Sequence, residues 1–176
     1  VMPKGFKLLQ EAEIVTGLKQ EKRSWPNPQS EGVLPRRPVL STDLSPESWA
    51  ALPYKENTIH PENKTQRSIS GILCRSKSEM SILNVYENLG LFYHYDEVLD
   101  FSGRYFAPDI IGVREDGRLI YHEHLGLQDE TYRRAYRERE LWYAKFGIMP
   151  GKNLIYTYDD ENGNLNTRLV REIIKD

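Results

Sequence analysis

The chain of 176 residues has one cysteine, Cys74, and no purely apolar run longer than a few residues. A lone thiol can form neither an internal disulfide nor a cysteine-rich zinc site. With no recognisable base beside it in the sequence, Cys74 reads as a buried thiol rather than a nucleophile. The lack of a long apolar stretch speaks against a spanning helix, and no positively charged start leads into an apolar segment with a small-residue cleavage site. The expectation is therefore a cytoplasmic protein with no membrane partner. Internal repeats and low-complexity tracts are also missing. What is present is 39% apolar and 28% charged residues, enough to bury a core, in a length that suits one domain plus an appendage.

The net charge of -2 hides an asymmetry. Residues 1–78 carry 12 basic and 8 acidic side chains, residues 79–176 carry 12 and 18. An acidic part beside a mildly basic arm is compatible with a metal site in the former and a polyanion reaching the latter, and equally with solvated surface charge. Val1 precedes Met2, which reads either as a cloning remnant or, the favoured option, as a cut from the interior of a longer protein whose further domains would be partners. Leu8, Ala12, Val15 and Leu18 fall at helical spacing, so residues 1–23 are expected to form a helical arm. Residues 24–69 hold seven of the ten prolines and read as an extended connection packing on the core through Trp49, Leu52 and Tyr54. A short helical turn is expected where Ser45 can cap and Pro46 can take the first helical position.

Residues 70–176 carry the densest signals. Ser76 and Glu79 have capping-box spacing, followed by Ile82, Leu83, Tyr86 and Leu89 at helical spacing up to Gly90. Strands are expected at Phe92–Leu99, Ala107–Val113 and Leu119–Leu125, a helix at Glu130–Phe146, a strand at Asn153–Tyr158 and a helix at Thr167–Ile174. Three hairpin-joined strands followed by a helical crossover to a fourth imply an α/β (α+β) fold, with a four-stranded mixed sheet flanked by helices.

Glu115-Asp116-Gly117 fits a three-residue hairpin loop with glycine in the left-handed position, so that Arg114 faces Arg118 and Asp109 faces Glu123. Alternation then puts Asp109, Ile111 and Val113 on one face with Leu119, Tyr121 and Glu123. Two carboxylates on an otherwise apolar face are costly unless compensated, and a divalent metal would compensate them. A two-residue loop would shift the register, and a sheet edge would leave both acids in water. His122 and His124 flank Glu123, but alternation turns them to the opposite face and away from any shared metal. Glu79 faces inward on its helix, open to a reading as capping partner of Ser76 or as a third acid of a metal site. On the second helix Tyr132, Ala135, Tyr136, Trp142, Tyr143 and Phe146 share one face, and Arg139 projects from its centre. There it either meets an acidic partner or anionic substrate or snorkels to the helix edge.

Pro108-Asp109 and Glu123-His124-Leu125, the acids fourteen positions apart, within this element order, resemble the PD-(D/E)xK (restriction-endonuclease-like) nuclease superfamily and its α-β-β-β-α-β core. The runs RSKSE, PDI, YHEHLG and WYAKFGI look like a bacterial group of nuclease-like domains with Glu-His-Leu-Gly after the third strand. The resemblance covers about residues 70–176. It implies Asp109 and Glu123 as metal ligands, Glu79 as a helix-borne third acid, and Mg²⁺ or Mn²⁺ as cofactor. Leu125 stands where the superfamily has lysine, and Arg139 is the candidate to supply that cation. The expected function is metal-dependent cleavage of nucleic acid, with DNA favoured, and Asp109, Glu123 and Arg139 as the catalytic residues. The alternatives are a catalytically silent nucleic-acid-binding or protein-docking domain, and a scaffold whose chemistry lies elsewhere in a longer chain.

Overall fold

A computed structural model describes residues 44–101, 103–126 and 130–176, with the main chain only over 130–133. The expected helical arm over 1–23 and the first part of the proline-rich connection lie outside the described residues. Ser45 accepts from Ser48 N–H and Pro46 takes the first helical position of α1 (Pro46–Ala50), because proline lacks the N–H that this position would leave unused. A single 3-10 turn at Pro61–Asn63 precedes β1 (Gln66–Arg67), which pairs antiparallel with β2 (Leu73–Cys74). The expected domain boundary at residue 70 therefore falls inside a hairpin.

Helix α2 (Lys77–Asn88) starts where Ser76 accepts from Glu79 N–H and ends before Gly90, whose φ of 68° a side chain would resist. The main sheet follows, with β3 (Phe92–Tyr95), β6 (Ile110–Val113), β7 (Leu119–Leu125) and β8 (Leu154–Tyr158) in that spatial order. The first three are antiparallel, and β8 joins β7 in parallel after the crossover helix α3 (Glu130–Lys145). The C-terminal helix α4 (Thr167–Lys175) packs beside α2. The result is a mixed α/β architecture with a four-stranded mixed sheet and four α-helices among the described residues. None of these helices is long and apolar enough to cross a membrane.

Two expected strands are shorter. Phe92–Leu99 breaks at Asp96, which takes a left-handed φ of 55° and is held there by Arg75, Lys64 and Asn57. Beyond it the chain leaves the sheet, and β4 (Leu99–Asp100) pairs with β5 (Tyr105–Phe106) instead. Ala107–Val113 shortens to Ile110–Val113 because Pro108 has no N–H to extend the ladder. Of the expected inward face of α3, Trp142 and Tyr143 are buried, whereas Ala135 is exposed: the apolar stripe is too narrow to cover it.

Each face of the sheet has its own core. Ile111, Val113, Leu119, Tyr121 and Leu154 meet Trp142 and Tyr143 of α3 together with Trp49 of α1. Ile110, Ile120 and Ile155 meet Ile82, Leu83 and Tyr86 of α2 and Val170 and Ile174 of α4. Period-two alternation along β6, β7 and β8 produces this division.

Candidate active site

The hairpin between β6 and β7 turns as its sequence requires. Arg114 N–H donates to Arg118, Gly117 N–H donates back to Arg114, and Gly117 sits at φ 80°. Val113 then faces Leu119 and Ile110 faces His122, so continuing the register sets Asp109 opposite Glu123. Hydrogen-bonded pairs alternate along an antiparallel ladder, and after Arg114–Arg118 the series runs down to Pro108 and His124. At that last rung the Asp109 side chain takes over, with Oδ2 accepting the His124 N–H at 2.7 Å. Asp109 is thereby oriented by the main chain beside Glu123, at the point where β6 and β7 part.

Glu123 is 1% exposed and yet compensated. Arg139 Nη1 of α3 lies 3.2 Å from its Oε1 and 3.0 Å from its Oε2, and Tyr143 O–H donates to Oε1 at 2.5 Å. Four residues separate Arg139 from Tyr143, one helical turn, so one stripe of α3 supplies both donors. Burial raises the Glu123 pKa, opposed by Arg139 and Tyr143. Asp109 keeps some solvent exposure and, among the described residues, has no such clamp. Burial, the Glu123 charge and the more distant Glu79 hold its carboxyl well above the usual carboxylate range.

Glu79 is engaged in helix capping. Its carboxylate accepts from Ser76 O–H (3.1 Å), Arg75 N–H (3.2 Å) and Tyr95 O–H (2.6 Å). Its helix packs on the face of the sheet opposite α3, and it reaches Asp109 through its charge. Among the described residues no three His, Cys, Asp or Glu side chains converge as a metal-ligating group. The structure thus brings Asp109, Glu123 and Arg139 together and leaves Glu79 at the periphery.

The histidines point away from Glu123, as alternation requires. His122 is joined to Tyr86 O–H at 3.2 Å and to Thr157 Oγ1 at 3.0 Å, and His124 Nδ1 meets the same Thr157 Oγ1 at 3.0 Å. Burial pushes the His122 pKa down to about 3, so it is neutral. His124 Nε2 faces Asp159 Oδ1 at 3.3 Å without hydrogen-bond geometry.

The sequence reading missed Tyr143 and Tyr95, the phenols that hold Glu123 and Glu79. Tyr143 was placed on the inward face of α3, but nothing in an aromatic stripe distinguishes a hydroxyl donor from core packing. It also missed Asp96, whose Oδ2 takes Arg75 at 2.5 Å and Lys64 at 2.9 Å and whose N–H donates to Asp109 C=O. No known protein family, curated protein or solved structure matches this chain.

Proposed function

We propose that the protein is a metal-dependent phosphodiesterase that cleaves nucleic acid, on a restriction-endonuclease-like core. The observation that carries this reading is the level pairing of Asp109 and Glu123 on adjacent strands, with Arg139 against the second acid. The run of helix, three antiparallel strands, crossover helix and parallel strand supports the fold assignment.

The donor set fits a hard cation. Asp109 and Glu123 offer carboxylate oxygens, and mutual repulsion between them is relieved by a divalent charge. These two residues would hold Mg²⁺ or Mn²⁺, which when bound activates water and shields the scissile phosphate. Glu79 contributes negative potential rather than a ligand. The His124 N–H fixes the Asp109 carboxylate, and Tyr143 fixes that of Glu123. Arg139, planar and permanently charged, balances charge on the phosphate in the transition state but does not serve as a base. Because Asp109 holds its proton to unusually high pH, cation binding releases that proton and strengthens with rising pH.

The test is cleavage of plasmid DNA and of an RNA oligomer with Mg²⁺, Mn²⁺ or EDTA. Cleavage is expected with either metal, absent in EDTA and abolished by Asp109→Asn with the fold kept. Arg139→Ala is expected to lower kcat far more than affinity, while Arg139→Lys retains part of the activity. An Asp109→Asn variant that still cleaves would refute the assignment. The second reading, a silent nucleic-acid-binding domain, is favoured by the near-complete burial of Glu123 under Arg139 and Tyr143 and by Leu125 in place of lysine. That reading predicts binding of nucleic acid with no cleavage under any metal.

A further inference from the structure

Beside the acid pair, three cations lie along one aromatic strip. Arg104, next to β5, sits over the Phe106 ring at 5.9 Å and the Trp142 ring at 5.3 Å. Arg139 sits over the same Phe106 ring at 5.8 Å and ends on Glu123. Lys145 sits over Trp142 at 4.5 Å. Shared rings thus join Lys145, Arg104 and Arg139 into a chain that stops at the Asp109–Glu123 pair. This clustering occurs within residues 79–176, where acids outnumber bases 18 to 12.

A guanidinium laid on a ring keeps its in-plane N–H donors directed outward, and the ring limits the conformations it must give up when an anion arrives. Trp142 is buried beneath its cations and offers no face to a nucleobase. The recognition chemistry is therefore that of phosphates rather than bases. Arg104 is paired with Glu138, but both side chains are nearly half exposed, at 43% and 48%. Exposed ion pairs contribute little, so a phosphate can replace this carboxylate.

We propose that Lys145, Arg104 and Arg139 form a track that binds the sugar-phosphate backbone without base preference and delivers a nucleic-acid strand to Asp109 and Glu123. This inference rests on the nuclease reading and extends it to the path of the substrate. Charge complementarity selects the occupant.

The test is fluorescence anisotropy of labelled DNA and RNA oligonucleotides in EDTA, across a salt series, for the wild-type chain and for Arg104→Gln, Lys145→Gln and Glu138→Gln. Arg104→Gln and Lys145→Gln are each expected to weaken binding several-fold. Each should also lower the slope of log affinity against log salt by about 0.7 to 0.9, the value of one phosphate contact. Glu138→Gln, which releases Arg104, is expected to tighten binding, a gain that a misfolded variant does not produce. Changing the base sequence should leave affinity unaltered. Slopes unchanged in both cation variants, or no gain in Glu138→Gln, would overturn the track while leaving the nuclease reading to the cleavage assay. A wild-type chain that binds none of the oligonucleotides would overturn both.

Discussion

Strand β7 buries polar side chains on both faces and treats them in opposite ways. On the face toward α2, His122 and His124 share the hydroxyl of Thr157, and burial keeps His122 neutral. On the face toward α3, Glu123 is buried beside a second acid and clamped by Arg139 and Tyr143. His122 has removed its charge, the usual course for a buried titratable group. The carboxylate face keeps the Glu123–Arg139 ion pair and, among the described residues, sets no cation directly against Asp109, an arrangement that costs stability. Neighbouring residues of one strand thus separate a network held by a shared hydroxyl from one held by an ion pair.

The contrast breaks most severely at the ion pair. Arg139→Leu strands a buried carboxylate and is expected to cost about 3 kcal/mol in urea denaturation, because an unpaired buried charge is far worse than none. Adding Glu123→Gln should restore much of that loss. If the single and double variants are equally stable, the Glu123 charge is not what the face is organised around.

The histidine face should yield less. Thr157→Val removes the hydroxyl common to both rings and is expected to cost about 2 kcal/mol, the scale of leaving buried polar atoms unsatisfied. Glu123 is untouched by it, so any metal-induced rise in Tm should persist. Gly112→Ala probes the same face by packing. A methyl there would come 2.5 Å from the Tyr86 ring, displacing the phenol that bonds His122. A loss of about 1 to 2 kcal/mol is expected. The companion Tyr86→Phe should make the further cost of Gly112→Ala no larger if steric crowding is its cause.

The smallest effect is also the sharpest, since the two faces respond to pH with opposite sign. Native Asp109 keeps its proton to higher pH than the unfolded chain does, so its contribution to stability falls as pH rises above about 4, the unfolded value. His122 refuses in the native state a proton that the unfolded chain accepts below about 6.5. Its contribution therefore falls as pH drops toward its native value of about 3. Melting temperatures across pH should show both declines, and Asp109→Asn should reduce only the first, leaving the part that Glu123 contributes with the same sign. An unchanged profile in that variant would place the titration elsewhere.

Local chemistry determined a good deal of this. Glu115-Asp116-Gly117 set the register of β6 against β7, because a loop of that length with glycine at its left-handed position admits one pairing. That register by itself put Asp109 opposite Glu123 and turned the histidines away. Ser76 likewise began α2 through a contact only three residues long. The tertiary structure decided matters that depend on groups far apart in the chain. The capping contacts of Glu79 are completed by Tyr95, sixteen positions on, whose hydroxyl donates to its carboxylate. Asp96 could leave the strand because Lys64, from the preceding connection, and Arg75, just before α2, compensate its charge there. Glu123 could remain buried because α3 returned with Arg139 and Tyr143 one turn apart. The physical reason is one of range. Turn conformation and strand alternation are settled by neighbouring residues, whereas the free energy of a buried charge is settled by whichever distant donors the fold brings to it.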